Sequence, residues 1–432
     1  MGNSTDKVKI TTAYEGVPNS RSIKAYIDGG GYKAMTTAFS MTPEQIAEQV
    51  KAAGLRGRGG AGFPTGLKWT FVPKNDTGPK YLICNNDEGE PGTFKDRYII
   101  ECNPHMIVEG MIIAARAIGA TKGYIYTRYE FFEEIRWLET AIREAYEAGF
   151  LGKNIKGSGV TFDLDHYTGA GAYICGEETG LLSSLEGKKG QPKVKPPFPA
   201  VSGYLGRPTI VNNTETLASV PWIVNNGSDA YKAIGTEKSP GTKLFCISGR
   251  VKRPGVYELP LGYSWDKFFN DDVGGMADGY RLKGVIPGGL SAPVLLPEEL
   301  AGLTLDYEAI AAKGSMLGSG AVMVLDHTAN IGELLKVTVD FFHHESCGQC
   351  TPCREGTGWL ANIMSGVHGG LGKVTDLEKM NEVARCMAGR TICALSDAAA
   401  MPTMGFIKKF PAELAAYIQS QSQKTPAGHG HK

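Results

Sequence analysis

Alternating strand-like and helix-like stretches over residues 1–240 predict an α/β layered fold. Two changes of pattern predict further units. Short strands and turns over 241–330 read as a small α+β domain, and helix-period sequence over 331–432 reads as a helical domain. A chain of 432 residues exceeds the size at which one core stops growing, which fits such a division.

The first helix expected spans 42–54, with Thr42 as N-cap, Pro43 at the first position, Gln45 three residues after the cap and Gly54 as the stop. A glycine-rich loop follows directly, with Gly57, Gly59 and Gly62 in a GxGxxG arrangement. Dinucleotide folds place that motif between a strand and a helix. Here it follows a helix and runs into Phe63-Pro64, so the motif by itself identifies nothing. Its physics still holds: a backbone without side chains brings N–H groups against a phosphate or a flat ring, and Arg56, Arg58 and Lys68 supply positive charge. An anionic cofactor suits it.

Residues 81–84 read as a short strand leading into Asn85-Asn86-Asp87-Glu88-Gly89-Glu90, where three carboxylates crowd four positions at a strand end. Asn103 and Pro104 open an apolar helix to about Ile118, 124–126 read as a strand, and 130–148 as an amphipathic helix. A strand at 161–167 precedes small residues that give way to Glu177 and Glu178 at the start of a helix over 179–185. That pattern suits a ligand resting against the helix. The basic, proline-rich 188–199 stretch reads as an extended loop, and Asn212 and Asn213 follow another strand. Further strands are expected at 244–251, 254–257, 284–287 and 321–325.

Composition narrows the function classes. A formal net charge of zero with ordinary apolar and charged fractions points away from nucleic acid. The most apolar run, 106–120, is interrupted by Glu109 and Arg116, so it reads as a core helix rather than a membrane span. The first residues lack the apolar core of an export signal, and nine scattered cysteines point to a reducing compartment. Cys84, Cys102, Cys175 and Cys246 read as buried thiols. The tail from Thr425 reads as frayed.

Cys347, Cys350 and Cys353, spaced Cys-x2-Cys-x2-Cys, suit a cubane iron–sulfur cluster, whose iron corners each need one thiolate. The fourth ligand must come from afar. Cys386 falls inside a helix-period segment, 380–387, and reads as packing, whereas Cys393 follows Gly389 in an irregular stretch where a side chain can be aimed. Cys393 is therefore the expected ligand. Structural zinc is the rival, although zinc modules usually present two separated Cys-x2-Cys knuckles.

Taken in order, the Gly57-Arg58-Gly59-Gly60-Ala61-Gly62-Phe63-Pro64-Thr65-Gly66 loop, the 85–90 loop, Tyr173-Ile174-Cys175-Gly176-Glu177-Glu178 and the cysteine triple with Cys393 resemble the NADH-binding flavoprotein subunit of respiratory complex I. The likeness covers about residues 20–420. It implies a Rossmann-like flavin domain, a ubiquitin-like α+β middle domain and a C-terminal helical bundle carrying an Fe–S cluster. It also implies FMN held by Gly57, Arg58, Gly59, Gly60, Lys68, Asn85, Asp87, Glu88, Tyr173, Gly176, Glu177, Asn212 and Asn213. NADH would lie over the flavin along Phe63, Phe71, Glu90, Glu178, Lys195 and Phe198.

By the same resemblance hydride passes from nicotinamide C4 to flavin N5, and the protein mainly holds two rings face to face. Lys68 and Glu90 are the implied catalytic residues: Lys68 favours the anionic reduced flavin, and Glu90 accepts a hydrogen bond from the carboxamide. Electrons then leave singly through a [4Fe–4S] cluster on Cys347, Cys350, Cys353 and Cys393. Glu178 beside the adenosine ribose would accept from a 2′-OH and repel a 2′-phosphate, which favours NADH over NADPH. The implied partners are other Fe–S subunits of a multisubunit NADH dehydrogenase leading to quinone, including a thioredoxin-like [2Fe–2S] subunit. The expected address is cytoplasmic, peripheral on the inner face of a membrane through those partners. Rival readings are the diaphorase subunit of an NAD-linked hydrogenase or formate dehydrogenase, and a non-catalytic Fe–S scaffold.

Overall fold

A computed structural model describes residues 8–424; the readings of the first residues and of the tail from Thr425 lie outside the described residues. Strands β1 (Tyr81–Asn86), β2 (Lys122–Thr127), β3 (Asp163–Thr168) and β4 (Thr209–Asn213) form a parallel sheet in the order β3-β2-β1-β4. The chain steps outward from β1 through β2 to β3, then returns to the other side of β1. That reversal is a switch point, and open parallel sheets bind ligands just outside the carboxyl ends of the strands there. Those ends are Asn85-Asn86 and Asn212-Asn213, with Asn85 in register with Asn213.

Both faces of the sheet are covered, as a parallel sheet requires. Alternation along β1 sends Leu82 and Cys84 into a core with the helices His105–Ile118 and Thr214–Asn226, and Ile83 into a second core on the opposite face. The second core joins the sheet to the helix Glu178–Leu185 and to the C-terminal helices Ile331–Glu345, Thr351–His368, Asp376–Met387, Leu395–Lys409 and Pro411–Lys424. The helical part thus packs on the sheet itself.

The helix expected at 42–54 is Pro43–Ala52, held by a reciprocal cap: Gln45 N donates to Thr42 Oγ1 (3.2 Å) and Thr42 N to Gln45 Oε1 (2.8 Å). Such a cap contributes about 1 kcal/mol. The middle region builds a second sheet from β5 (Thr242–Gly249), β6 (Gly255–Pro260), β8 (Leu282–Ile286) and β10 (Ala321–Asp326), while β7 (Tyr263–Ser264) pairs with β9 (Thr304–Leu305). In the larger of these sheets the order is β6-β5-β10-β8, and Phe245, Trp265, Phe268 and Leu305 form its own core.

Cys84, Cys102, Cys175 and Cys246 are buried, as expected. Cys386 is not packed but exposed. Its helix, Asp376–Met387, buries Leu377, Met380, Ala384 and Met387 at intervals of three and four, and Cys386 lies one position off that stripe. Among the described residues, no helix is long and apolar enough to cross a membrane.

Candidate functional site

The expected site residues gather at the carboxyl edge of the parallel sheet. Asn85 Nδ2 donates to Gly176 O at 2.8 Å, joining the acidic loop to the 173–178 segment. Trp69 Nε1 donates to Asn212 Oδ1 (2.8 Å), tying β4 to the helix Thr65–Thr70 that carries Lys68. Asn213 caps Thr214–Asn226 through Glu215 N (3.0 Å) and donates to Asp96 Oδ2 (2.6 Å). The glycine loop lies over this edge: Gly57 N donates to Phe63 O (2.8 Å), Gly60 takes a φ of +132°, and a Cβ on Gly59 would stand 3.1 Å from that of Asn213.

Two expected residues turn their side chains elsewhere. Arg58 is fully buried, donating to Tyr231 Oη (3.1 Å) and Pro240 O (2.9 Å), so only its backbone faces the loop. That backbone is fastened by Thr216 Oγ1 to its N–H (2.9 Å) and by Lys243 Nζ to its carbonyl (3.3 Å). Glu88 accepts from Lys95 N (2.9 Å), Asp96 N (2.8 Å) and Arg97 N (3.2 Å), which caps the helix Lys95–Cys102. Burial, then Asp96, pushes its carboxyl up to about 7.

Asp87 behaves differently. Its Oδ2 is buried with no hydrogen-bond partner in the chain, and burial pushes its carboxyl up to about 7, with Arg128 opposing and Glu130 and Glu345 adding. A buried acceptor without a donor suits a bound group rich in hydroxyls. Glu90, by comparison, already holds three donors: Tyr173 Oη donates to its Oε2 (2.7 Å), and Ser291 donates to it through both N (2.7 Å) and Oγ (2.8 Å). Tyr173 N in turn donates to Glu345 Oε2 (3.0 Å).

Charges alternate across the mouth. Lys68 Nζ lies 2.7 Å from Glu178 Oε2 and donates to Val211 O (2.8 Å). Lys195 Nζ lies 3.0 Å from Glu178 Oε1 and 2.8 Å from Glu177 Oε1. Glu177 caps the helix Glu178–Leu185 through Thr179 N (2.8 Å) and Gly180 N (3.0 Å). Burial acts upward on Glu178, yet Lys68 and Lys195 hold its carboxyl below the ordinary value. Phe63 and Phe71 stand exposed with ring centroids 6.2 Å apart, and Phe198 is exposed on the loop after Lys195. Open aromatic faces of this kind suit a stacked base.

Cys347, Cys350, Cys353 and Cys393 line one small cavity with Ile174, Ser346 and Leu395. Cys350 occupies the position just before the helix Thr351–His368 and Cys353 sits in its first turn, so the helix start places both, and Ile392 N points at Cys350 Sγ (3.5 Å). Burial pushes the Cys393 thiol up to about 11, with Glu177, Cys353 and Cys347 adding. The four thiols thus share one cavity. A cubane takes one thiolate at each iron corner, and this donor set fits it. Tyr173 faces Glu90 while its neighbour Ile174 lines the cysteine cavity, so one short segment borders both sites.

Sequence reasoning missed Ser291, Glu345 and Arg128, whose Nη1 donates to the Glu88 carbonyl. Each lies dozens to hundreds of residues from its partner; the Gly288-Gly289 pair was the one local hint of a tight turn near Ser291.

The family described as Nuo51 FMN-binding domain matches residues 50–222, and that described as NADH-ubiquinone oxidoreductase-F iron-sulfur binding region matches residues 333–417. An NADH-quinone oxidoreductase F-type subunit of Rhizobium meliloti, the one numbered 2, is 50% identical, covering 94% of this chain and 96% of its own. The F-type subunit of the NADH-quinone oxidoreductase of Streptomyces coelicolor is 46% identical, covering 96% of this chain and 93% of its own. A crystal structure of NAD+-reducing [NiFe]-hydrogenase in the H2-reduced state contains a similar fold, with a TM-score of 0.81 and 39% identity over 92% of this chain and 67% of that one. The two family matches flank the middle sheet, one on the crevice and one on the four thiols, and the chain belongs to the family of F-type subunits of NADH-quinone oxidoreductase.

Proposed function

We propose that the chain is the electron-entry subunit of a multisubunit NADH-quinone oxidoreductase, oxidising NADH at the crevice and passing electrons out through the four-thiol cavity. The observation that carries this reading is the Tyr173-Ile174 segment, which borders both places. When bound, FMN accepts hydride and releases electrons singly, and a [4Fe–4S] cluster supplies the one-electron outlet.

The residues have separable tasks. The backbone of Gly57, Arg58, Gly59, Gly60 and Glu88, together with Asn85, Asp87, Tyr173, Gly176, Glu177, Asn212 and Asn213, would hold FMN. Cys347, Cys350, Cys353 and Cys393 would hold the cluster. Glu90, fixed by Tyr173 and Ser291, presents a carboxylate to the nicotinamide carboxamide, and Phe63, Phe71 and Phe198 offer faces to the adenine. Lys68 places positive charge at the crevice while paired with Glu178, and Lys195 shares that pair. The domains assigned are 1–240 for FMN and NADH, 241–330 as a ubiquitin-like unit and 331–432 for the cluster. The assigned partners are other Fe–S subunits, including a thioredoxin-like [2Fe–2S] subunit, which would keep the chain on the cytoplasmic face of a membrane.

Anaerobic purification tests this reading: released flavin absorbing at about 450 nm and ferricyanide reduction by NADH are expected, and a scaffold would show neither. The likeness to the NAD+-reducing hydrogenase favours a second reading, a diaphorase subunit of the same chemistry, which co-purifying subunits separate.

A further inference from the structure

We propose that Ser291, from the middle sheet region, is a positioning residue for Glu90 and sets the one direction in which that carboxylate receives a nicotinamide carboxamide. The inference rests on the reading of the crevice given above. Ser291 N lies 2.7 Å from Glu90 Oε1, Ser291 Oγ 2.8 Å from each of the two oxygens, and Tyr173 Oη 2.7 Å from Oε2.

An ionised carboxylate offers about four acceptor positions. Three donors, two of them from one residue, leave one position and decide which it is. The turn that brings Ser291 there leaves no slack: Gly289 has a φ of +94°, and a Cβ on it would stand 2.4 Å from Glu90 Cγ. The loop is seated further along by Leu290 N to Pro91 O (3.3 Å) and by the Thr93 and Ser319 hydroxyls (2.6 Å). Glu90-Pro91-Gly92-Thr93 therefore rests on the middle region along its length, and the orientation of Glu90 is imposed from a part of the chain some two hundred residues away.

The test compares full-length wild type, Ser291→Ala and Ser291→Thr, each carrying flavin and cluster, with NADH and with the 3-acetylpyridine analogue, which lacks the carboxamide N–H. Ser291→Ala is expected to keep its FMN and iron and to lose about tenfold in kcat/KM for NADH, the size of one hydrogen bond to a charged group. The loss should be near onefold for the analogue, the deuterium isotope effect from 4-deuterated NADH should rise, and Ser291→Thr should restore wild-type values. Equal losses with both substrates, or no loss with either, would overturn the proposal while leaving the electron-entry function standing. Loss of FMN in Ser291→Ala would also overturn it, by showing that the turn holds the fold and not the carboxylate. A wild type that binds FMN but never oxidises NADH would overturn both readings together.

Discussion

Replacing Glu178 by Gln removes one negative charge from a mouth where it balances two lysines. Its carboxylate lies 2.7 Å from Lys68 Nζ and 3.0 Å from Lys195 Nζ, and its side chain is 21% exposed. In the variant Lys195 keeps Glu177 and Lys68 keeps only the Val211 carbonyl, so the local charge rises by one unit. A 2′-phosphate carries about two negative charges. One unit acting on two charges at about 6 Å is worth about 1.4 kcal/mol at the dielectric of water and about 5.5 kcal/mol at an effective dielectric of 20. For a crevice mouth open to solvent, a figure towards the lower bound, about 2 kcal/mol, corresponds to roughly 30-fold. Steady-state ferricyanide reduction should therefore show the NADPH-to-NADH ratio of kcat/KM rising by about that factor. A ratio unchanged within threefold would refute the placement of Glu178 at the ribose.

Asp87 gives a pH signature in the flavin-free protein. Its folded carboxyl is pushed up to about 7, above the unfolded value of about 3.9, so its contribution to stability is full below about pH 4 and is lost as pH rises towards 7. Between pH 5 and pH 8, Asp87→Asn should gain about 2 to 3 kcal/mol on the wild type, read from thermal or urea midpoints; parallel pH responses would contradict the buried, unpaired carboxyl. Glu215→Gln should be among the costliest single changes. Glu215 is buried, accepts from Leu244 N (2.8 Å) and pairs with Lys95 (2.9 Å) and Lys243 (3.3 Å); in the variant Lys95 keeps Asp96 (2.7 Å), but the buried Lys243 loses its carboxylate partner, at about 3 to 5 kcal/mol. Since Lys243 also holds the Arg58 carbonyl, FMN should bind more weakly in titration, and undiminished affinity would break that link.

Local chemistry made much of this molecule legible in its sequence. The Thr42-Gln45 cap, the strand leading into the acidic loop and the triple of cysteines are decided by residues within a few positions of one another, and the structure holds each of those elements. The strand β1 runs two residues longer than read, because Asn85 and Asn86 are polar yet still pair with β2. Side-chain direction was the harder matter. Arg58 sits in a loop that suggests a phosphate-facing cation, but an interior of Glu215 and Tyr231, built from distant segments, draws it inward. Ser291 had no local mark, since its role exists only once the middle sheet is laid against the 90–93 loop. Cys386 was misread because a helical stripe places its neighbours, not itself, in the core.

The most direct test is iron and acid-labile sulfide in anaerobically purified wild type, Cys386→Ser and Cys393→Ser. About four of each per chain are expected in the wild type and in Cys386→Ser, with loss of both in Cys393→Ser while FMN stays bound. Zinc in place of iron, or a Cys393→Ser protein with its full complement, would contradict the assignment of these four thiols to a cubane beside the flavin.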